Sequence, residues 1–325
     1  MRILVTGGAG FLGQAIIARL LSQGAAIELD SKLLPIDSIV SFDQAAGQLQ
    51  HPKVQYRTGD IGDAATVQSL LNSNVSVVIH LAAVVSSTAE SQFDLGMRVN
   101  VDGTRHLLEA CRHQTKQARV LFASSIATFG GALPPVVLDS TTPTPQGSYG
   151  IQKLIGEHLV QDYSRKGFID GRSVRVPTVV VRPGTPNGAA SGFASGIIRE
   201  PLRGLDAVLP VAGSTQMWVA APQTVVTMLL TALALPAATW GWQRSLNLPG
   251  LTVSMDQALE SLAKVAGPAV VARVSREINP AIEKLVDTWP ARFETARATK
   301  MGITADANFD DIVRAYIADN PAAIA

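Results

Sequence analysis

The chain has 325 residues, 47% hydrophobic and 16% charged, with 27 Lys and Arg against 26 Asp and Glu. That length supports one large domain or two smaller ones around a sizeable core, and the balanced, interspersed charge leaves no footprint for nucleic acid or an anionic membrane. The single cysteine, Cys111, excludes an internal disulfide, and its helical context HLLEACRH reads as a small buried hydrophobe rather than a reactive thiol. The first apolar run is interrupted at Gly7, unlike a signal peptide, and the apolar run 225–235 is too short to span a bilayer. These features point to a soluble, cytoplasmic protein.

In chain order, residues 2–6 form a short apolar run, a buried strand. Residues 11–23 have helical spacing. Residues 33–36 read as a second strand and 54–57 as a third, followed by a helix over 64–72. A fourth strand covers 75–81 (VSVVIHL), a helix 99–113, a fifth strand 119–123, a helix 149–165 and a sixth strand 173–181. Strands rich in Val, Ile and Leu that alternate with helices predict an α/β, Rossmann-like, doubly wound parallel sheet covered on both faces. After Arg182, Pro and Gly become frequent and the alternation lapses, with helical stretches at 223–235 and 255–265. The expected division is a nucleotide-binding domain over 1–182 and a smaller, mainly helical substrate lobe over 183–325, with segments free to interleave.

Gly7, Gly10 and Gly13 lie at G-x-x-G-x-x-G spacing in GGAGFLG, between a strand and a helix. Such glycines allow a tight turn and let a pyrophosphate approach the backbone at Phe11 and Leu12, where the helix start offers N–H groups and a positive dipole end. Gly8 and Gly13 also fit the spacing of a P-loop, but Gln14 and Ala15 stand where Lys and Ser or Thr would be required. Asp37, just past the second strand, is placed to accept from both ribose hydroxyls and to repel a 2′-phosphate, which favours NAD over NADP. Asp30 competes for that role, and Lys32 keeps NADP open. Asp60, in Gly59-Asp60-Ile61, either accepts from the adenine amino group or caps the next helix. His80 reads as a satisfied structural histidine. The small residues of Leu81-Ala82-Ala83 let the chain run close to a cofactor. No cluster has convincing metal-ligand spacing.

Tyr149 and Lys153 share one face at the start of a helix. A tyrosine with a pKa of about 10 is a poor base, but a nearby ammonium favours its phenolate. Tyr149 can then take the proton of an alcohol while hydride leaves to the cofactor, and Lys153 can also hold the nicotinamide ribose. Alone, such a pair is a helix-face coincidence. Ser125 changes the balance: it ends the fifth strand, at the edge where ligands bind in a doubly wound sheet, and its hydroxyl can serve the reacting oxygen. Ser124 is a less defined neighbour.

GGAGFLG, GDIGD, HLAA, NVDGT from Asn100, SSIATFG, YGIQK and Arg182-Pro183-Gly184 follow one another over residues 3 to 185. In that order they resemble the extended short-chain dehydrogenase/reductase family, the NAD-dependent epimerases and dehydratases. The resemblance implies a Rossmann domain, bound NAD, catalysis by Ser125, Tyr149 and Lys153, Asn100 near the active site and Pro183 beside the nicotinamide. It also implies a homodimer formed through the helices 99–113 and 149–165. The stretch 175–202 is similar to a subgroup that oxidises the 2-hydroxyl of a four-carbon sugar acid. A nucleotide-sugar epimerase or dehydratase, or a uronate dehydrogenase, is the alternative. Nucleotide-sugar epimerases usually carry Tyr where this chain has Phe129, and no second phosphate clamp is evident. A small acid needs one cation for its carboxylate and a few hydroxyl partners. Arg199 is a candidate for the cation, with a surface or helix-end role as its rival, and Ser86, Thr185, Asn187 and Ser191 are candidate polar contacts. Trp218 reads as a lobe-packing aromatic that could also line the pocket.

Overall fold

The computed structural model describes residues 1–72, 74–184, 190–321 and 324. β1 (Arg2–Thr6) runs into the glycine turn and α1 (Phe11–Ser22). A hairpin follows, β2 (Ala26–Leu29) and β3 (Lys32–Pro35), turned by Asp30 and Ser31 at φ 52° and 60°. Two residues in the left-handed region suit a tight hairpin turn. Next come β4 (Ser38–Asp43), β5 (Val54–Thr58), α2 (Ala64–Leu71) and β6 (Val77–His80). α3 (Ser86–Ser91), α4 (Phe93–Gly96), a π-helical turn over Met97–Asp102 and α5 (Gly103–Arg112) lead to β7 (Ala118–Ser125). α6 (Ser148–Arg165), β8 (Ile169–Val176) and β9 (Thr178–Val179) complete the first half.

The second half contains α7 (Gly192–Leu202), β10 (Ala207–Leu209), β11 (Gln216–Ala220), α8 (Pro222–Ala234), α9 (Ala237–Trp240) and β12 (Ser245–Asn247). β13 (Leu251–Ser254), α10 (Met255–Ala266), α11 (Pro268–Val271), β14 (Val274–Arg276), α12 (Pro280–Val286), α13 (Ala296–Lys300) and α14 (Phe309–Asp319) follow.

Seven parallel strands form the main sheet in the order β12-β8-β7-β6-β1-β4-β5. The chain moves outward from β1 in one direction and then in the other. The crevice beyond the carboxyl ends of β1 and β6 is therefore the switch point at which such sheets bind ligands. Side chains alternate across the pleat. Ile3 and Val5 pack with α1 and α8 in one core, and Leu4 with α2 and α5 in the core on the other face. A separate core joins α7, β11, α10 and α14. Residues beyond 183 thus also feed the first core, because α8 and β12 return to the main sheet.

Two expected strands are redrawn. Residues 33–36 are not the second strand of the main sheet but largely the outer arm of the hairpin, where Leu33 is 70% exposed. The strand beside β1 is β4, whose central residues are buried. The expected strand 173–181 ends at Val176, and Thr178 and Val179 join a second small sheet with β11 and β13. Pro177 lies at the break and has no N–H for the ladder.

Candidate active site

The glycine turn closes on β4: the Gly7 and Gly8 N–H groups both donate to the Phe42 carbonyl, at 2.9 and 3.2 Å. Gly7 has φ +71°, and a Cβ there would lie 2.7 Å from the Ala82 nitrogen. A Cβ at Gly13 would lie 2.3 Å from the Gly7 carbonyl oxygen. Only glycine lets the turn, the loop after β6 and the start of α1 come this close. Gly10 is exposed at the N-cap of α1, which has no side-chain cap. The helix start is thus an open anion cradle that fits a pyrophosphate. Phe11, Leu12, Leu81 and Ala83 border the adjoining cavity.

Asp43 ends β4 beside this turn, its Oδ2 accepting from the Ala9 N–H at 3.0 Å. It occupies the position expected of Asp37. Asp37 instead precedes β4 and accepts from the N-terminal amine of Met1 at 2.8 Å, at the opposite edge of the sheet. That hydrogen bond, with the ammonium charge, holds its carboxyl below the usual range. Asp30 and Lys32 belong to the hairpin, and Asp30 pairs with Arg119. The sequence signal for Asp43 was the run SIVSFD, an apolar strand ending in an acid.

Asp60 accepts from the Gly62 N–H at 2.8 Å and from the Arg98 guanidinium. Arg98, with Gly62 second, holds its carboxyl below the ordinary value. Asp60 is not the helix cap, because Asp63 caps α2 by accepting from the Ala65 and Thr66 N–H groups. The Ile61 side chain is buried in the core and does not border the cavity. His80 is buried between the hydroxyls of Thr6 (2.6 Å) and Thr104 (3.0 Å), and burial pulls it to about 3, so it is neutral. Burial pushes the Cys111 thiol up to about 12. Among the described residues no group of His, Cys, Asp and Glu is placed to hold a metal, and no helix is long and apolar enough to cross a membrane.

Ser125 closes β7, and Tyr149 and Lys153 lie on the first turns of α6. All three border one cavity of about 720 Å³. Burial pushes the Tyr149 phenol up to about 12, opposed by the Arg182 guanidinium and the Ser125 hydroxyl. Burial pulls Lys153 down to about 8, opposed by Glu157. The Lys153 ammonium donates to the Ala123 carbonyl at 2.9 Å, and its Nζ stands 5.7 Å from the Tyr149 ring centre. The expected lowering of Tyr149 by Lys153 is not seen. The opposing cation is Arg182, which opens Arg182-Pro183-Gly184.

Ser124 donates to Glu157 at 2.5 Å, and Arg175 grips the same carboxylate from Nε and Nη2. Asn100 is buried and outside the cavity lining. Its amide bonds the main chain of Val84 and the Gln152 side chain, tying the loop after β6 to α6.

The substrate candidates separate. Arg199 is buried away from the cavity, where its guanidinium meets Glu200 (2.5 and 2.8 Å) and the Arg182 carbonyl (2.9 Å). Its charge is compensated in place, so it is not the cavity's cation. Arg182 borders the cavity and donates to the Ser191 hydroxyl at 2.5 Å and the Val179 carbonyl at 3.0 Å. Ser86 and Ser191 border the cavity too. Thr185 and Asn187 lie outside the described residues. Pro183 is not in the lining, whereas Pro177, at the true end of β8, is. Trp218 packs on Phe293 with ring centres 5.2 Å apart and also borders the cavity.

Comparison with known proteins matches residues 3–239 to the NAD-dependent epimerase/dehydratase family. A D-erythronate dehydrogenase of Cupriavidus necator is 49% identical over 98% of both chains. One of Haemophilus influenzae is 40% identical over 98% of this chain and 99% of its own. The crystal structure of a nucleoside-diphosphate-sugar epimerase from Agrobacterium tumefaciens superposes with a TM-score of 0.93, at 39% identity over 99% of this chain and 95% of that one.

Proposed function

The chain belongs to the NAD-dependent epimerase/dehydratase family and is an NAD-dependent oxidoreductase; we propose that it oxidises a secondary alcohol of a small sugar acid, D-erythronate to 2-oxo-tetronate. The observation that carries this reading is a cavity that sets one arginine, Arg182, near the Tyr149 phenol. The two D-erythronate dehydrogenases similar over nearly the whole chain support it.

NAD, when bound, supplies the hydride acceptor. The α1 start would hold its pyrophosphate and Asp43 its adenosine ribose. Arg182 clamps the substrate carboxylate through its guanidinium. Ser125 donates to the alcohol oxygen, and Tyr149 Oη takes the alcohol proton as the carbon–hydrogen bond breaks. A buried phenol at about 12 is a poor base by itself. The positive charge of the oxidised nicotinamide favours its ionised form once the site is filled. Lys153 anchors the floor beneath Tyr149 and holds the nicotinamide ribose. Ser86 and Ser191 are hydroxyl partners for the substrate.

The test is NADH formation when purified protein meets NAD and D-erythronate, run beside four- to six-carbon aldonates and uronates. Steady NADH production is expected, and none across the panel refutes the reading. The Agrobacterium tumefaciens structure favours a second reading, a nucleotide-sugar epimerase. An epimerase of that class would keep and recycle its NAD, so isomerised UDP- or GDP-sugar without free NADH would select this reading.

A further inference from the structure

Three charged side chains border the cavity among the described residues: Lys153, Arg182 and Glu90. Two are cations beside Tyr149. The third is a carboxylate on α3, exposed at the rim. Glu90 is held in place, because its Oε2 accepts from the Ser148 N–H at 2.9 Å and Ser148 opens the helix that carries Tyr149. The rim carboxylate thus has a set position relative to the reacting phenol, and nothing in the proposed hydride transfer requires it.

A guanidinium that takes one carboxylate would bind a phosphate as readily. Arg182 by itself therefore does not separate a plain sugar acid from one bearing a second anion. A carboxylate elsewhere in the same small cavity does, because a like charge brought near it is repelled whereas a hydroxyl donates to it. Resting on the sugar-acid reading above, we propose that Glu90 is a specificity-determining charge filter. It admits acids whose far end carries hydroxyls and turns away those whose far end carries a phosphate or a second carboxylate.

The test compares D-erythronate with its terminal phosphate ester, in wild type, Glu90→Gln and Glu90→Lys. For each, kcat/KM is measured at low and high salt, and both acids are titrated calorimetrically into NADH-loaded enzyme. Gln keeps an oxygen to accept from Ser148 and removes only the charge. The wild-type preference for D-erythronate should fall about tenfold in Glu90→Gln at low salt, and further in Glu90→Lys. Raising the salt should narrow the wild-type preference and leave that of Glu90→Gln nearly unchanged, because the group is exposed. An unchanged preference in both variants, with D-erythronate still bound and oxidised, overturns the filter alone. Failure of wild type to bind either acid overturns the sugar-acid reading and the filter with it.

Discussion

The two edges of the main sheet treat buried charge differently. At the amino edge, Arg119 reaches Asp170 at 3.0 Å and Asp30 at 2.8 Å, while Arg172 and Arg244 meet the same Asp170 at 2.9 and 3.3 Å. Each of these three arginines meets at least one carboxylate. At the carboxyl edge, Lys153 rests on a backbone carbonyl. The carboxylate one turn along its helix, Glu157, is taken by Ser124 and Arg175. A closed ion cluster ties strands together, and its parts fail badly when one partner is lost. A buried ammonium beside a cavity keeps a perturbed pKa, which chemistry can use. One edge is fastened and the other is left able to react.

Removal of the phenol from the reacting edge should have the largest effect. Tyr149→Phe is expected to lower turnover by about 100- to 10,000-fold while NAD titration by protein fluorescence stays as in wild type. Turnover at the wild-type level would break the comparison at its centre.

The next contrast is between two neighbouring arginines. Arg182→Lys loses the planar fork and is expected to cost about 10- to 100-fold in kcat/KM, mainly through KM. Arg199→Lys disturbs only the buried contact with Glu200 and the Arg182 carbonyl. It should lower the Tm and leave KM within a few-fold. Michaelis–Menten curves and thermal melts on both variants sort them, and the reverse pattern would return the cation's role to Arg199.

A smaller effect separates the two aspartates. Asp43→Asn should reduce the preference for NAD over NADP by about tenfold, whereas Asp37→Asn, at the opposite edge, should leave it unchanged. Cofactor kinetics with both nucleotides decide.

The last contrast is in stability rather than in turnover. Lys153 has a folded value of about 8 against an ordinary 10.5. Below about pH 8 both states carry the proton and the fold bears the cost of burying it. Between 8 and 10.5 the folded state releases the proton first, so the cost fades as pH rises. Lys153→Met should therefore melt a few degrees above wild type at neutral pH, with the gain shrinking toward pH 10.5. Arg119→Met at the fastened edge should instead cost about 2 kcal/mol with no such fading. Thermal melts across that pH range measure both, and a constant gain for Lys153→Met would show that its ammonium carries no burial cost.

Much of the carboxyl edge is legible in the chain as written. The glycine spacing, a serine at a strand end, and Tyr149 with Lys153 one turn later are local patterns, and local geometry realises them: the turn closes on Phe42 and the pair shares the start of α6. Their companions were misplaced for one kind of reason. LLPI and SIVSFD are both short apolar runs, and composition does not say which one lies beside β1. Read from the first run, the strand-end acid is Asp37; read from the second, which pairs with β1, it is Asp43. The end of β8 at Val176 likewise sets Pro177 at the cavity, where the family resemblance implied Pro183.

The sequence by itself determined the doubly wound α/β class, the cofactor turn and the Ser125, Tyr149 and Lys153 set, because periods of two and 3.6 and the conformational freedom of glycine act over a few residues. Only the tertiary structure decided which carboxylate stands beside the glycine turn, which arginine borders the cavity, and that burial raises Tyr149 although a lysine stands nearby. Those outcomes depend on strand pairing, on Glu200 compensating Arg199, and on the water excluded around the phenol, which are contacts between residues far apart in the chain.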